Sequence, residues 1–296
     1  MNKKNNIAII GAGKISYSLT SALIKAGYKI SVIISKREKS AESLAKKFQI
    51  KKFSNNLEDI SFKSGIFFLA VPDAQIRILA NELSKLHFNF SNSIFIHLSG
   101  ALNISELKSL KNKNAKTASF HIMQTFPFKK IINIKNFYAA IETNDNDAKK
   151  FLFDISNKLF LQSFEIKSSE KTLYHLAGTF ASNFLVGNIF NSELLLRFGV
   201  KKNIIFYDAV KPIIQSTLEN IKNFGVADAL SGPVERGDIQ TIKMHLVSLK
   251  KRNRILYFTY IIQSLNLLEI VKIKRSKLSE NHIKIKNLLE EKLKDI

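Results

Sequence analysis

The sequence predicts an α/β chain: a doubly wound parallel sheet first, then an all-α domain. Three observations predict it. From Asn6 to about Ser168, short β-branched or aromatic runs alternate with helical patterns, the signature of parallel strands with crossover helices. A glycine turn, Gly11-Ala12-Gly13, joins the first of these runs to a helix. After Ser169 the strand signal stops and long helical periods replace it.

The expected strands, in order, are 7–10, 29–34, 65–71, 93–98, 116–120, 137–142 and 163–166. Several are apolar on both faces, as a buried parallel sheet requires. The first helix, 17–26, closes on Gly27 as its C′ residue. Beyond Ser169 one long helix, 171–198, ends at Gly199, and further helices are expected at 204–224, 239–251 and 255–268. The change of class puts the boundary near Ser168. Residues 1–168 then form the sheet domain, 169–270 a helical domain, and 271–296 a charged amphipathic tail, either a solvated helix or a frayed end.

Composition narrows the function. The 296 residues exceed the size at which one core keeps growing. No cysteine is present, which excludes disulfides, thiolate metal sites and a cysteine nucleophile, and fits a reducing cytoplasm. Lys3 and Lys4 before Ile7-Ala8-Ile9-Ile10 look like a signal peptide, but the run stops at Gly11, short of the roughly 7–15 residues one needs. No stretch approaches the ~18 continuous apolar residues of a membrane span. Lys and Arg total 46 against 24 acids, a net charge of +22, yet the cations are scattered rather than gathered on a motif. Neither a specific nucleic acid nor a membrane is therefore an expected partner.

The turn carries the first chemistry. Gly11 permits a tight bend after the strand and Gly13 lets backbone approach a pyrophosphate. Ala12, Lys14, Ile15 and Ser16 then open a helix whose free N–H groups and dipole favour phosphate. Ser16 stands where this Rossmann fingerprint usually has Gly or Ala. At the end of the second strand an NAD protein would carry an acid for the ribose 2′-hydroxyl. This chain has Ser35-Lys36-Arg37 instead. Two charge-assisted bonds to a 2′-phosphate, about 1.5–3 kcal/mol each, would favour NADP about a hundredfold or more. NADP(H) is the expected cofactor.

Ligands bind at the carboxyl ends of strands in such sheets. Ala70-Val71-Pro72 would turn the chain over the cofactor, and Ser99, before Gly100, would reach the nicotinamide ribose; each segment could also be a plain turn. His121, with Gln124 and Thr125 close by, is either a packed histidine or part of a substrate pocket. On the long helix, His175, Gly178 and Ser182 fall within about 40° of Lys171, with Asn183 bordering them. Leu173, Leu176, Ala177, Phe180 and Phe184 lie opposite. Lys171 or His175 could supply the proton a reductase needs, with Asn183 beside it; alternatively the stripe is a helix–helix contact. In the loop Gly232-Pro233-Val234-Glu235-Arg236-Gly237-Asp238, Arg236 either pairs with Asp238 or clamps a substrate carboxylate.

Together the Gly11 turn, Ala70-Val71-Pro72-Asp73, the segment from His121 to Phe126, Tyr174-His175 through Ser182-Asn183, and the Gly-Pro…Arg-Gly-Asp loop resemble one bacterial family. It joins a Rossmann-like domain to a helical domain of unknown function and is labelled as NADP oxidoreductases. The resemblance runs from about Asn6 to Leu249. Ile122 departs from the proline that commonly follows His121 there. More distantly the chain is similar to pyrroline-5-carboxylate reductase and to proteins with a 6-phosphogluconate dehydrogenase-like C-terminal domain. That implies a homodimer through the helical domain, with a small-molecule substrate between that domain and the nicotinamide. The expectation is an NADP-dependent reductase of a C=N or C=O bond in a small anionic substrate. The other reading is a non-catalytic NADP-binding sensor or scaffold, which would need no proton donor.

Overall fold

The computed structural model describes residues 6–60, 64–200 and 205–294. The expectations that touch Lys3, Lys4, Ile204, Asp295 and Ile296 lie outside them. The chain forms two compact units, Met1–Leu185 and Val186–Ile296. The first reaches past the change of class at Ser168 because Lys171, opening the next helix, is buried within it.

The strands of the first unit are β1 (Asn6–Ile10), β2 (Lys29–Ile34), β3 (Phe53–Ser54), β4 (Ile66–Leu69), β5 (Ile94–His97), β6 (Lys116–Ile122), β7 (Tyr138–Thr143) and β8 (Gln162–Glu165). They form one sheet in the order β3-β2-β1-β4-β5-β6-β7-β8. The doubly wound order places β1 centrally, with β2 and β4 parallel on either side. The expected strands are all present, and the two-residue β3, too short to show a period, is added. The uniformly parallel sheet needs one correction, because β7 runs antiparallel to β6. A parallel return requires a crossover, and residues 123–137 contain no helix to make one.

Helices α1 (Lys14–Lys25), α2 (Glu38–Lys47), α3 (Asp73–Leu83), α4 (Lys108–Lys111) and α5 (Asn146–Lys158) cover the two faces. Strand residues alternate between two cores. Phe67 stacks on Phe95 at 4.5 Å on one side, while Phe68 lies 6.4 Å from Phe120 on the other. Gly27 follows the α1 C-cap at φ 84°, the left-handed closure expected of it.

The long helix is α6 (Lys171–Gly178), a π-helical turn (Thr179–Phe184) and α7 (Leu185–Gly199). Then come α8 (Phe206–Ala229), α9 (Pro233–Arg236), α10 (Ile239–Lys250), α11 (Arg254–Arg275) and α12 (Glu280–Leu293). Gly225, at φ 82°, kinks α8 near the position where the sequence ends that helix. The tail is neither frayed nor solvated all round. His282, Ile285 and Leu289 of α12 are buried, and the two apolar ones pack with Ile242, Leu246, Tyr257 and Ile261 of α10 and α11. Their i, i+4 spacing gives α12 an apolar seam despite its many lysines. By length and composition α11 could cross a membrane, but its Leu256, Ile261 and Leu268 belong to this core.

Candidate active site

The carboxyl edge of the sheet is built from the Gly11 turn outward. Gly11 has φ 113°, and a Cβ there would lie 2.1 Å from the Ala70 carbonyl oxygen, so only glycine fits. The buried Ser16 hydroxyl donates to the Gly11 carbonyl at 2.7 Å, which explains why a small hydroxyl serves in place of Gly or Ala. Gly13 is the N-cap of α1; no side chain caps that end, and no acid stands in its first turn. The first amides of α1 are thus left for an anion. Ala12 is buried beside them, Lys14 is exposed, and Ile15 packs on the core.

At the end of β2, Ser35 is half-buried and donates its amide to the Ser54 carbonyl at 3.0 Å. Lys36 and Arg37 are exposed and make no ion pair among the described residues. The turn and the two cations fit a dinucleotide carrying a 2′-phosphate.

After β4, Ala70 is buried, Val71 half-buried, and Pro72 exposed as the N-cap of α3. Ser99 is buried after β5, and its hydroxyl is engaged within the protein. It donates to Asp73 at 2.7 Å and accepts the amides of Ala101 and Leu102 at 3.2 and 3.0 Å. Ser99 therefore ties the β5 loop to the start of α3.

Beside it, a Cβ on Gly100 would meet the His121 ring at 2.8 Å. His121 lies near the end of β6, where Ile122 is simply the last, buried strand residue. His121 Nδ1 is 2.8 Å from the Tyr174 hydroxyl, and its ring centroid is 6.5 Å from that of His175. Burial first, then Lys171 and His175, push the His121 imidazole down to about 4. Burial pushes the Tyr174 phenol up to about 12. At neutral pH both are uncharged and share one hydrogen bond. His97, fully buried in β5, is pushed down to about 3, by burial above all. Gln124 stands apart: it is exposed and its Oε1 accepts the Thr125 amide at 2.7 Å.

The stripe on the long helix is oriented against expectation. Lys171 is 1% exposed and sits under the helix, not at an open edge. Its ammonium lies 3.1 Å from Glu142 of β7, donates to the Ser99 carbonyl at 3.2 Å, and donates to Ser119 of β6. Burial lowers the Lys171 pKa, with Glu142 and then Asp73 opposing the shift. The expected apolar back is turned outward, with Leu173 70% and Phe180 61% exposed. His175 and Asn183 are exposed and Ser182 half-buried, the last two in the π-helical turn, a distortion frequent at functional sites.

In the second unit Arg236 is exposed and forms no ion pair with Asp238 among the described residues. Asp238 instead caps α10, accepting from the Thr241 amide at 3.1 Å and hydroxyl at 2.7 Å. An apolar cavity of about 450 Å³, lined by Phe67, Leu83, Phe88 and Phe95, lies at the opposite end of the strands and belongs to none of this. Sequence reasoning missed Glu142, Tyr174 and His97. A lone acid ending the buried run Ala139-Ala140-Ile141 was the available sign of a buried cation partner.

Residues 6–96 match the family described as NADP oxidoreductase, coenzyme F420-dependent, and residues 137–261 match a domain of unknown function, DUF2520. The two together are the combination that the sequence motifs resemble. The chain is similar to a provisionally assigned NADP oxidoreductase of Bacteroides fragilis, 23% identical, with a TM-score of 0.75 over 90% of this chain and 98% of that one. An imine reductase of Myxococcus stipitatus solved with NADP+ is 16% identical, TM-score 0.65, over 94% and 98%. A pyrroline-5-carboxylate reductase of Coxiella burnetii is 15% identical, TM-score 0.56, over 98% of both chains. At these identities the likeness is one of fold. No curated protein sequence matches the chain. The class is thus an NADP oxidoreductase, in which residues 6–96 are similar to that family and residues 137–261 to DUF2520.

Proposed function

We propose that the protein reduces a C=N or C=O bond of a small, anionic substrate with NADPH. One observation carries the reading. The carboxyl edge of the sheet runs unbroken from the Gly11 turn, past Ala70 and the Ser99–Asp73 bond, to the His121–Tyr174 pair packed on Gly100. A dinucleotide laid along it has phosphate donors at one end and neutral proton-handling groups at the other. NADPH supplies the hydride. The chain's own residues supply the proton, and His175 is the group we assign, since it is exposed beside His121 while Lys171 is committed to Glu142. His121 and Tyr174 orient the reacting group, with Ser182 and Asn183 further along the helix as substrate contacts.

The reading includes a homodimer. Leu173, Phe180 and Phe184 in the first unit, and Tyr207, Ile213 and Phe224 on α8 in the second, are large apolar side chains at least half exposed, and α8 buries no residue at all. Apolar surface on this scale marks an interface. The test of function is NADPH oxidation with a panel of cyclic imines and 2-keto acids. His175→Ala should cost about 10²–10⁴-fold in rate, with NADPH affinity kept. Absence of turnover across the panel would favour a cofactor-binding sensor. Turnover untouched in His175→Ala and Tyr174→Phe would move the chemistry elsewhere.

A further inference from the structure

The Lys171–Glu142 pair is more than the activity needs from a proton donor and less than stability needs from a core. A buried ion pair is often no more stable than two apolar residues of the same volume, because both charges must be stripped of water. Its presence asks for another role.

Its contacts close a ring. Lys171 opens α6, and Tyr174, three residues on, meets His121. The ammonium holds the carbonyl of Ser99, whose neighbour Gly100 is the surface on which His121 packs. It also holds Ser119, two residues before His121 on β6 and paired in register with Glu142 of β7. Glu142 in turn accepts the Ile104 amide at 3.2 Å and the Ser168 hydroxyl, fastening the β5 loop and the entry to α6. Every element that bounds His121 is thus fixed to one ion pair.

We propose that Lys171 and Glu142 are positioning residues, which dock the first turn of α6 on the sheet so that Tyr174 and His121 meet over Gly100. Lys171 then acts through His121 rather than on substrate. The cation adds an electrostatic effect, since it stands with burial and His175 among the causes that hold the His121 imidazole neutral. The charged and titratable groups facing this point are Glu142 from β7, His97 from β5, Asp73 from α3, and Tyr174 and His175 from α6. The catalytic meaning rests on the function proposed above, but the arrangement can be tested without turnover.

The experiment is imidazole NMR of the full chain, with His121 assigned by its loss in His121→Gln. In the wild type His121 should be neutral at pH 6, with a hydrogen-bonded Nδ1. A cationic His121 at pH 6 would overturn the proposal before any variant is made. In the Lys171→Met/Glu142→Met double variant, whose paired apolar side chains protect the fold, His121 should titrate at higher pH than in the wild type, and its Nδ1 signal should lose the bonded position. Lys171→Arg, which keeps the cation, should retain the low titration. A folded double variant with wild-type His121 signals would overturn the proposal. If a substrate is found, kcat in the double variant should fall by about 10²-fold, as for a misplaced catalytic group, with KM for NADPH changed far less. Normal kcat with altered His121 signals would sink the functional reading and leave the positioning intact.

Discussion

Acidification should destabilise the first unit well before its carboxylates titrate, because two of its histidines are buried neutral. His97 is held at about 3 and His121 at about 4, against an ordinary value of 6.5. Between those limits the unfolded chain binds protons that the folded chain refuses, so stability is complete above about pH 6.5 and falls as pH drops towards the folded values. From pH 7 to 5 each histidine costs about 2 kcal/mol, and the pair about 4 kcal/mol, a large share of a domain's usual 5–15. Urea denaturation at pH 7, 6 and 5, followed by far-ultraviolet circular dichroism, measures the loss directly. His97→Gln should remove about half of the pH dependence. A midpoint constant from pH 7 to 5, or a variant as acid-sensitive as the wild type, would refute the placement of these imidazoles.

Other outcomes follow from the same geometry. NADPH should bind about a hundredfold or more tighter than NADH through Lys36 and Arg37, and Arg37→Asp should erase the difference in a fluorescence titration. Sedimentation at micromolar concentration should give about twice the chain mass of 33.6 kDa, and Phe180→Glu on the exposed apolar face should shift the protein towards monomer. Leu289→Ala in the buried seam of α12 should cost about 2–5 kcal/mol, whereas a solvated tail would lose almost nothing in thermal melts.

The sheet and its glycine turn were legible because strand periodicity and a Gly-x-Gly between strand and helix are local signals. The reversal at β7 was not, since it follows from what residues 123–137 lack rather than from what they contain. The helical wheel sets Lys171, His175 and Ser182 on one side, but a wheel gives angles between side chains and not which of them meets the sheet, and Lys171 is buried while His175 is exposed. The rule that apolar faces turn inward fails for a helix whose Leu173, Phe180 and Phe184 stand exposed among the described residues. Glu142 and Tyr174 were missed for the same reason: their meaning depends on partners brought together by the sheet order, far from them in sequence. Gln124 was expected from its place beside His121 and Arg236 from its Gly-Pro loop; Gln124 instead is exposed and accepts the Thr125 amide.

The central claim is that one edge joins the phosphate turn to the His121–Tyr174 pair as a single reductase site. The direct measurement follows the His121 imidazole signals while the protein is titrated in turn with NADP+ and with 2′-phospho-ADP-ribose, which carries the same phosphates but no nicotinamide. Both should bind, and only NADP+ should move the His121 signals substantially. Binding of both with the His121 signals unmoved by NADP+ would contradict the account.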